Sequence, residues 1–161
     1  MTWTGPLVVV VLGRPAPQGS KRHVGHGVLI ESSKHVKPWR VAVAAATAAA
    51  IADAARALGG AQIAADAAWR VDLVFTMQRP RAHYRTGRNA GQLRDNAPTL
   101  PVVMPDLDKL VRSTLDGIAT GDAIANDSRV VELHAVKTYP GGHLDALDEP
   151  GVVITLREAH Q

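Results

Sequence analysis

Residues 104–117 read MPDLDKLVRSTLDG, and the reading of this stretch decides the rest. Leu107, Leu110, Val111, Leu115 and, just beyond, Ile118 recur at helical spacing. The segment predicts an amphipathic helix from about Asp106 to Ala119, with that stripe against a core. Two aspartates, Asp106 and Asp108, stand at its head on either side of Leu107, behind the stiff approach of Pro105. A third, Asp127, follows in ANDSRVVEL, just before a strand that begins near Arg129.

Aspartate is favoured at a helix N-cap and in the first turn, where its charge meets the positive end of the helix dipole. Capping alone accounts for Asp106 and Asp108. A second reading stays open. Positions two apart inside a helix point to nearly opposite sides, but at the entrance the first is half outside, and the two carboxylates can converge. A strand start packed beside a helix start can bring Asp127 to the same place. Three carboxylates gathered without counter-charge repel one another. A hard divalent cation removes that cost, because magnesium and manganese take oxygen ligands from carboxylates, water and phosphates. Arg112, one turn after Asp108, is either a surface partner of that aspartate or a cation beside a phosphate, and Lys109 is open to the same two readings.

Outward from this helix the chain alternates. RVVELHAVKTY and GVVITLR predict two strands, joined by a loop containing Pro140, Gly141 and Gly142. Upstream, WRVDLVFTMQ alternates strictly, with Trp69, Val71, Leu73, Phe75 and Met77 on one face. KPWRVAVAAATAAAIADAARALGG predicts a first helix, with Pro38 in its first turn, a stripe from Trp39 through Val43, Ala46, Ala50 and Ala54 to Leu58, and a stop at Gly59-Gly60. LVVVVLG, Leu7 to Gly13, predicts a buried strand, followed by the loop RPAPQGSKR and a short strand around Gly27 to Glu31. Residues 79–103 have no period and contain three prolines and two glycines. A loop this long and rich in arginine is either functional or disordered, and could be disordered until a ligand arrives. The order of elements predicts an α+β (mixed α/β) fold over residues 1–161: one domain with a single mixed sheet and two main helices packed on it.

Composition narrows the class. The 161 residues suffice for a real core, and 46% are apolar, many of them alanine. No cysteine is present, which excludes disulfides and thiolate metal sites and leads one to expect a reducing compartment. LVVVVL is too short for a signal peptide or a membrane span, so a soluble cytoplasmic protein is expected, with no membrane partner. Net charge is +3 but uneven. Residues 14–40 hold Arg14, Lys21, Arg22, Lys34, Lys37 and Arg40 against Glu31 alone, and residues 79–94 hold Arg79, Arg81, Arg85, Arg88 and Arg94 with no acid. These runs are either solvated loops or the footprint of a polyanion. The seven histidines show no convincing metal spacing; His23 and His26 lie in a glycine-rich loop. No phosphate loop or Gly-x-Ser-x-Gly elbow occurs.

PDLDKLVRSTLDGI and NDSRVVELHAVK, in this order and spacing after RPAPQGSKR, resemble the RusA-type Holliday junction resolvases of bacteria and their phages. The resemblance covers most of the chain. It implies a small homodimer that cuts four-way (Holliday) DNA junctions by paired symmetric nicks with magnesium or manganese, in a bacterial cell and encoded by host, phage or prophage. The family's three essential aspartates match Asp106, Asp108 and Asp127, and its strand lysine matches Lys137. Three positions depart: an asparagine of the family is Lys109 here, its functional lysine is Arg112, and the first residue of its Asp-Asp pair is Asn126. Arginine keeps the charge but stays protonated, so charge stabilisation carries over to Arg112 better than proton transfer. Lys21, Arg22, Arg79, Arg81, Arg85, Arg88, Lys109 and Lys137 are the expected DNA contacts. Two rival readings are a non-catalytic DNA-binding or architectural protein, and a metal-dependent nuclease acting on nucleotides or on linear or flapped DNA.

Overall fold

The computed structural model describes residues 3, 5–19, 21–23, 25, 29–31 and 34–159, with the side chains of 21–23 and 29–31 excepted. Strand β1 spans Leu7–Leu12, and a hairpin of β2 (Lys21–His23) and β3 (Leu29–Glu31) follows as a separate two-stranded sheet. Helix α1 runs Val36–Ala57, β4 Trp69–Thr76, α2 Leu107–Thr120, β5 Val130–Thr138 and β6 Gly151–Glu158. The main sheet is ordered β1-β6-β4-β5. Its β1–β6 and β6–β4 pairs are antiparallel and its β4–β5 pair is parallel. This is the mixed sheet with two helices that the order of elements predicts. A parallel pair needs a crossover. Here α2, with the long loop before it, makes that crossover.

One face of the sheet is covered. Leu7, Val9 and Val11 of β1, Trp69, Val71, Leu73 and Phe75 of β4, and Val152, Ile154 and Leu156 of β6 form one core with Trp39 and Val43 of α1 and Leu110 and Ile118 of α2. The alternation in the first half of β4 thus has its expected cause, while Val74 and Thr76, on its opposite face, are buried as well. The two helices also touch each other closely. A Cβ on Gly117 would lie 2.7 Å from the Val43 Cβ, and one on Gly121 would lie 2.7 Å from the Ala44 carbonyl. Glycine at these two positions therefore sets the distance between the helices. Across the same seam the Trp39 indole donates to the Thr114 hydroxyl at 3.1 Å, which satisfies a buried polar pair.

The structure revises three expectations. The β-branched run of β1 is an edge strand rather than a fully buried one: Val8, Val10 and Leu12 stand exposed on the uncovered face. In α1 the expected stripe holds from Trp39 and Val43, which are buried, through Ala46, Ala50 and Ala54, which pack against the core, but Leu58 lies beyond the helix and is exposed. Residues 79–103 are a built loop. They contain 3₁₀ turns at Arg81–His83 and Gly87–Asn89 and a bridge between Tyr84 and Leu93. Backbone bonds from Arg85 to Gln92 (2.7 Å) and from Arg94 to His83 (2.9 Å) fold the loop onto itself. The expected strand from Gly27 to Glu31 is seen at Leu29–Glu31, its first two residues lying outside the described ones. Among the described residues, no helix is long and apolar enough to cross a membrane.

Candidate active site

Asp106 is the N-cap residue of α2, with extended backbone (φ −67°, ψ 138°), yet its carboxylate makes no cap bond to the helix amides. It meets the Lys109 ammonium at 3.1 Å instead. The capping reading therefore does not describe the side chain. Asp108 sits in the first turn of α2, and Arg112 lies one turn further on. The spacing of 108, 111, 112 and 115 places these residues along one flank of the helix. That flank turns toward β5, because Leu110 and Ile118 take the helix's buried face into the core. Asp127 opens a 3₁₀ turn, Asp127–Arg129, directly ahead of β5. Asn126 shapes that turn: its side-chain oxygen accepts from the Ser128 amide at 3.0 Å and from the Ser128 hydroxyl.

Asp108, Arg112 and Asp127 open onto one cavity of about 580 Å³ between α2 and β5. Leu107, Val111 and Leu115 from the helix and Leu133 and Ala135 from the strand form its apolar wall. All three charged side chains are exposed, and none has a hydrogen bond or ion pair to a described residue, so the i,i+4 pair between Asp108 and Arg112 is not formed. Two unneutralised carboxylates and a free guanidinium beside an apolar wall can receive a cation and an anion together. Asp106 lies outside this lining. Among the described residues no three carboxylate or imidazole groups are close enough together to hold one metal ion. The donor set that faces the cavity is a pair of hard oxygen ligands, which suits a magnesium-type ion completed by water and phosphate oxygens.

The basic residues divide by what they touch. Arg79 stacks its guanidinium 4.0 Å over the Tyr139 ring and donates to the Pro98 carbonyl at 2.8 Å. The His83 ring meets the edge of the same tyrosine, at 5.8 Å between centroids. Arg85 pairs with Asp95 at 2.7 Å, and the Arg94 Nε donates to the Tyr84 carbonyl at 3.1 Å. These arginines hold the loop together. Arg81 and Arg88 are exposed and make no side-chain bond to a described residue. Lys137 donates to the carbonyls of Val103 and Pro105, each at 2.8 Å. The side chains of Lys21 and Arg22 lie outside the described part. Sequence reasoning missed Tyr139 as the anchor of the arginine loop; its position just after β5 was the available signal.

The family model described as Endodeoxyribonuclease RusA matches residues 13–157, from the loop after β1 through both helices to β6. The protein is thus by class an endodeoxyribonuclease, an enzyme that cuts within DNA chains. It belongs to the RusA endodeoxyribonuclease family. No curated protein matches the chain.

Proposed function

We propose that the protein is a divalent-metal-dependent resolvase of four-way DNA junctions, acting as a homodimer that nicks two opposed strands in pairs. The observation that carries this reading is the cavity between α2 and β5, where Asp108, Asp127 and Arg112 stand together without partners among the described residues. In this reading Asp108 and Asp127 hold magnesium or manganese. Asp106 joins them by leaving Lys109, an exposed ion pair of the kind worth only ~0.2–1 kcal/mol. When bound, the ion supplies Lewis acidity at the phosphodiester and lowers the pKa of a water. Asp127, which opens a short turn ahead of β5, would in this reading orient the attacking water and accept its proton. Arg112 remains protonated and balances the charge that grows on the phosphoryl oxygens.

DNA reaches the site over the arginine loop, with Arg81 and Arg88 free to meet phosphates and Lys21 and Arg22 contributing from the N-terminal hairpin. A two-fold dimer sets the two active sites on opposed strands of the junction.

A competition assay tests substrate choice. Labelled four-way junction and linear duplex of equal length are incubated together with enzyme and Mg²⁺. The reading predicts junction cleavage at symmetric positions and no cleavage of the duplex. Equal cutting of both substrates rejects junction selectivity and favours a general nuclease; binding without cutting favours an architectural role.

A further inference from the structure

Lys137 was expected to be a DNA contact, yet its ammonium is turned inward. On β5 it shares a strand face with Leu133 and Ala135, the two residues that wall the cavity of Asp108 and Asp127. From there Nζ donates to the Val103 carbonyl at 2.8 Å and to the Pro105 carbonyl at 2.8 Å. An ammonium has three donors, so two are committed to this turn. Bonds from a charged donor are roughly twice as strong as neutral ones.

The turn has few other ties. Val102, Val103 and Met104 are 81%, 59% and 76% exposed, so their side chains bring little packing to hold it, and Pro105 is only half-buried. Its own backbone bond, from the Val102 amide to the Leu100 carbonyl at 3.0 Å, is local. The residue after Pro105 is Asp106, the N-cap of α2, whose carboxylate makes no bond to the helix amides. The end of the turn therefore fixes where the Asp106 side chain begins.

We propose that Lys137 is a positioning residue, a clamp from β5 onto the Val103–Pro105 turn that fixes the approach of Asp106 to the active site. It does not meet DNA phosphate. The inference rests on the reading of Asp106 as a ligand of the catalytic cation.

Three measurements on Lys137→Met and Lys137→Arg test it. Junction binding in EDTA, followed across salt concentration, is expected to keep the wild-type slope, whereas loss of a phosphate contact lowers it by about 0.7–0.9. Single-turnover cleavage at saturating enzyme is expected to fall roughly 10- to 100-fold in Lys137→Met, as when a partner that orients a ligand is lost. Lys137→Arg, which can still donate to both carbonyls, restores most of that rate. Mn²⁺ binding without DNA is expected to weaken in Lys137→Met. A reduced salt slope, or wild-type cleavage by Lys137→Met, overturns the clamp. A wild-type chain that binds no Mn²⁺ counts against the metal reading instead, and the first two measurements still decide the clamp. If Lys137→Met melts below the assay temperature, Lys137→Gln, which keeps one donor, is judged by the same criteria.

Discussion

The Asp106 carboxylate turns away from the amides it could cap and meets Lys109 at 3.1 Å. Both side chains are close to half exposed, so the pair is weak and open to exchange. Lys109 then competes with the cation for Asp106. Replacing it, Lys109→Asn, is expected to lower the Mg²⁺ concentration for half-maximal cleavage about two- to fivefold, as loss of a surface pair worth ~0.5–1 kcal/mol would. A titration that superimposes on the wild type removes Lys109 from metal binding. Arg112 has no partner to lose among the described residues, so its role reads directly from substitution. Arg112→Ala is expected to reduce single-turnover cleavage roughly 10²-fold. Arg112→Lys, which keeps the charge but not the fork of donors, falls between. Equal rates for Ala and Lys would show that charge at this position does not matter. At this scale the sequence showed which groups could carry chemistry, but not which way they turn. Lys109 and Lys137 are both cations in the chain's most informative motifs. One faces an acid a single turn away, and the other faces carbonyls more than thirty residues earlier. Only folding decides between these and a phosphate.

Among the elements, α2 and β4 were legible because each has a clean period over most of its length, although the far end of β4 is buried on both faces at Val74 and Thr76. The placement of β1 was not. A run of valines fits an edge strand as well as a central one, and the number of neighbouring strands is set by non-local pairing. The arginine loop was illegible for a different reason. Its order comes from backbone bonds and from Arg79 on Tyr139, which leave no periodic trace. That order separates its arginines. Charge reversal at Arg81 and Arg88 is expected to weaken junction binding and to flatten its salt dependence by up to ~0.9 per lost phosphate contact. Unchanged slope would move the DNA path away from this loop. The α1–α2 seam carries a stability prediction. Gly117→Ala drives a methyl group into Val43, whose Cβ cannot swing aside, so the helices must part. Thermal melting is expected to show a loss of ~1–3 kcal/mol. A variant as stable as the parent would mean that the seam relaxes freely.

For the whole molecule, the two sides of the sheet differ in kind. The helix side holds the core and, at the α2–β5 border, the carboxylates. On the other side Asp72 is ringed by Arg157 at 2.8 Å, Arg70 at 3.4 Å and His134 at 3.9 Å, while Arg70 also reaches Glu132 at 3.3 Å. The cations there are matched by acids, which suits that face poorly to a phosphate backbone. DNA is thus expected at the α2–β5 border and the arginine loop. The basic runs were visible in the sequence, but this division of labour between them was not. The central claim is that carboxylates on the α2–β5 cavity cut junction DNA through a bound divalent ion. It is tested most directly by incubating an end-labelled four-way junction with wild-type enzyme and with Asp108→Asn, in Mg²⁺ and in EDTA. The account predicts paired symmetric nicks by wild type in Mg²⁺ alone, with Asp108→Asn binding the junction but not cutting it. Cleavage that persists in EDTA, or in the purified Asp108→Asn variant, would contradict it.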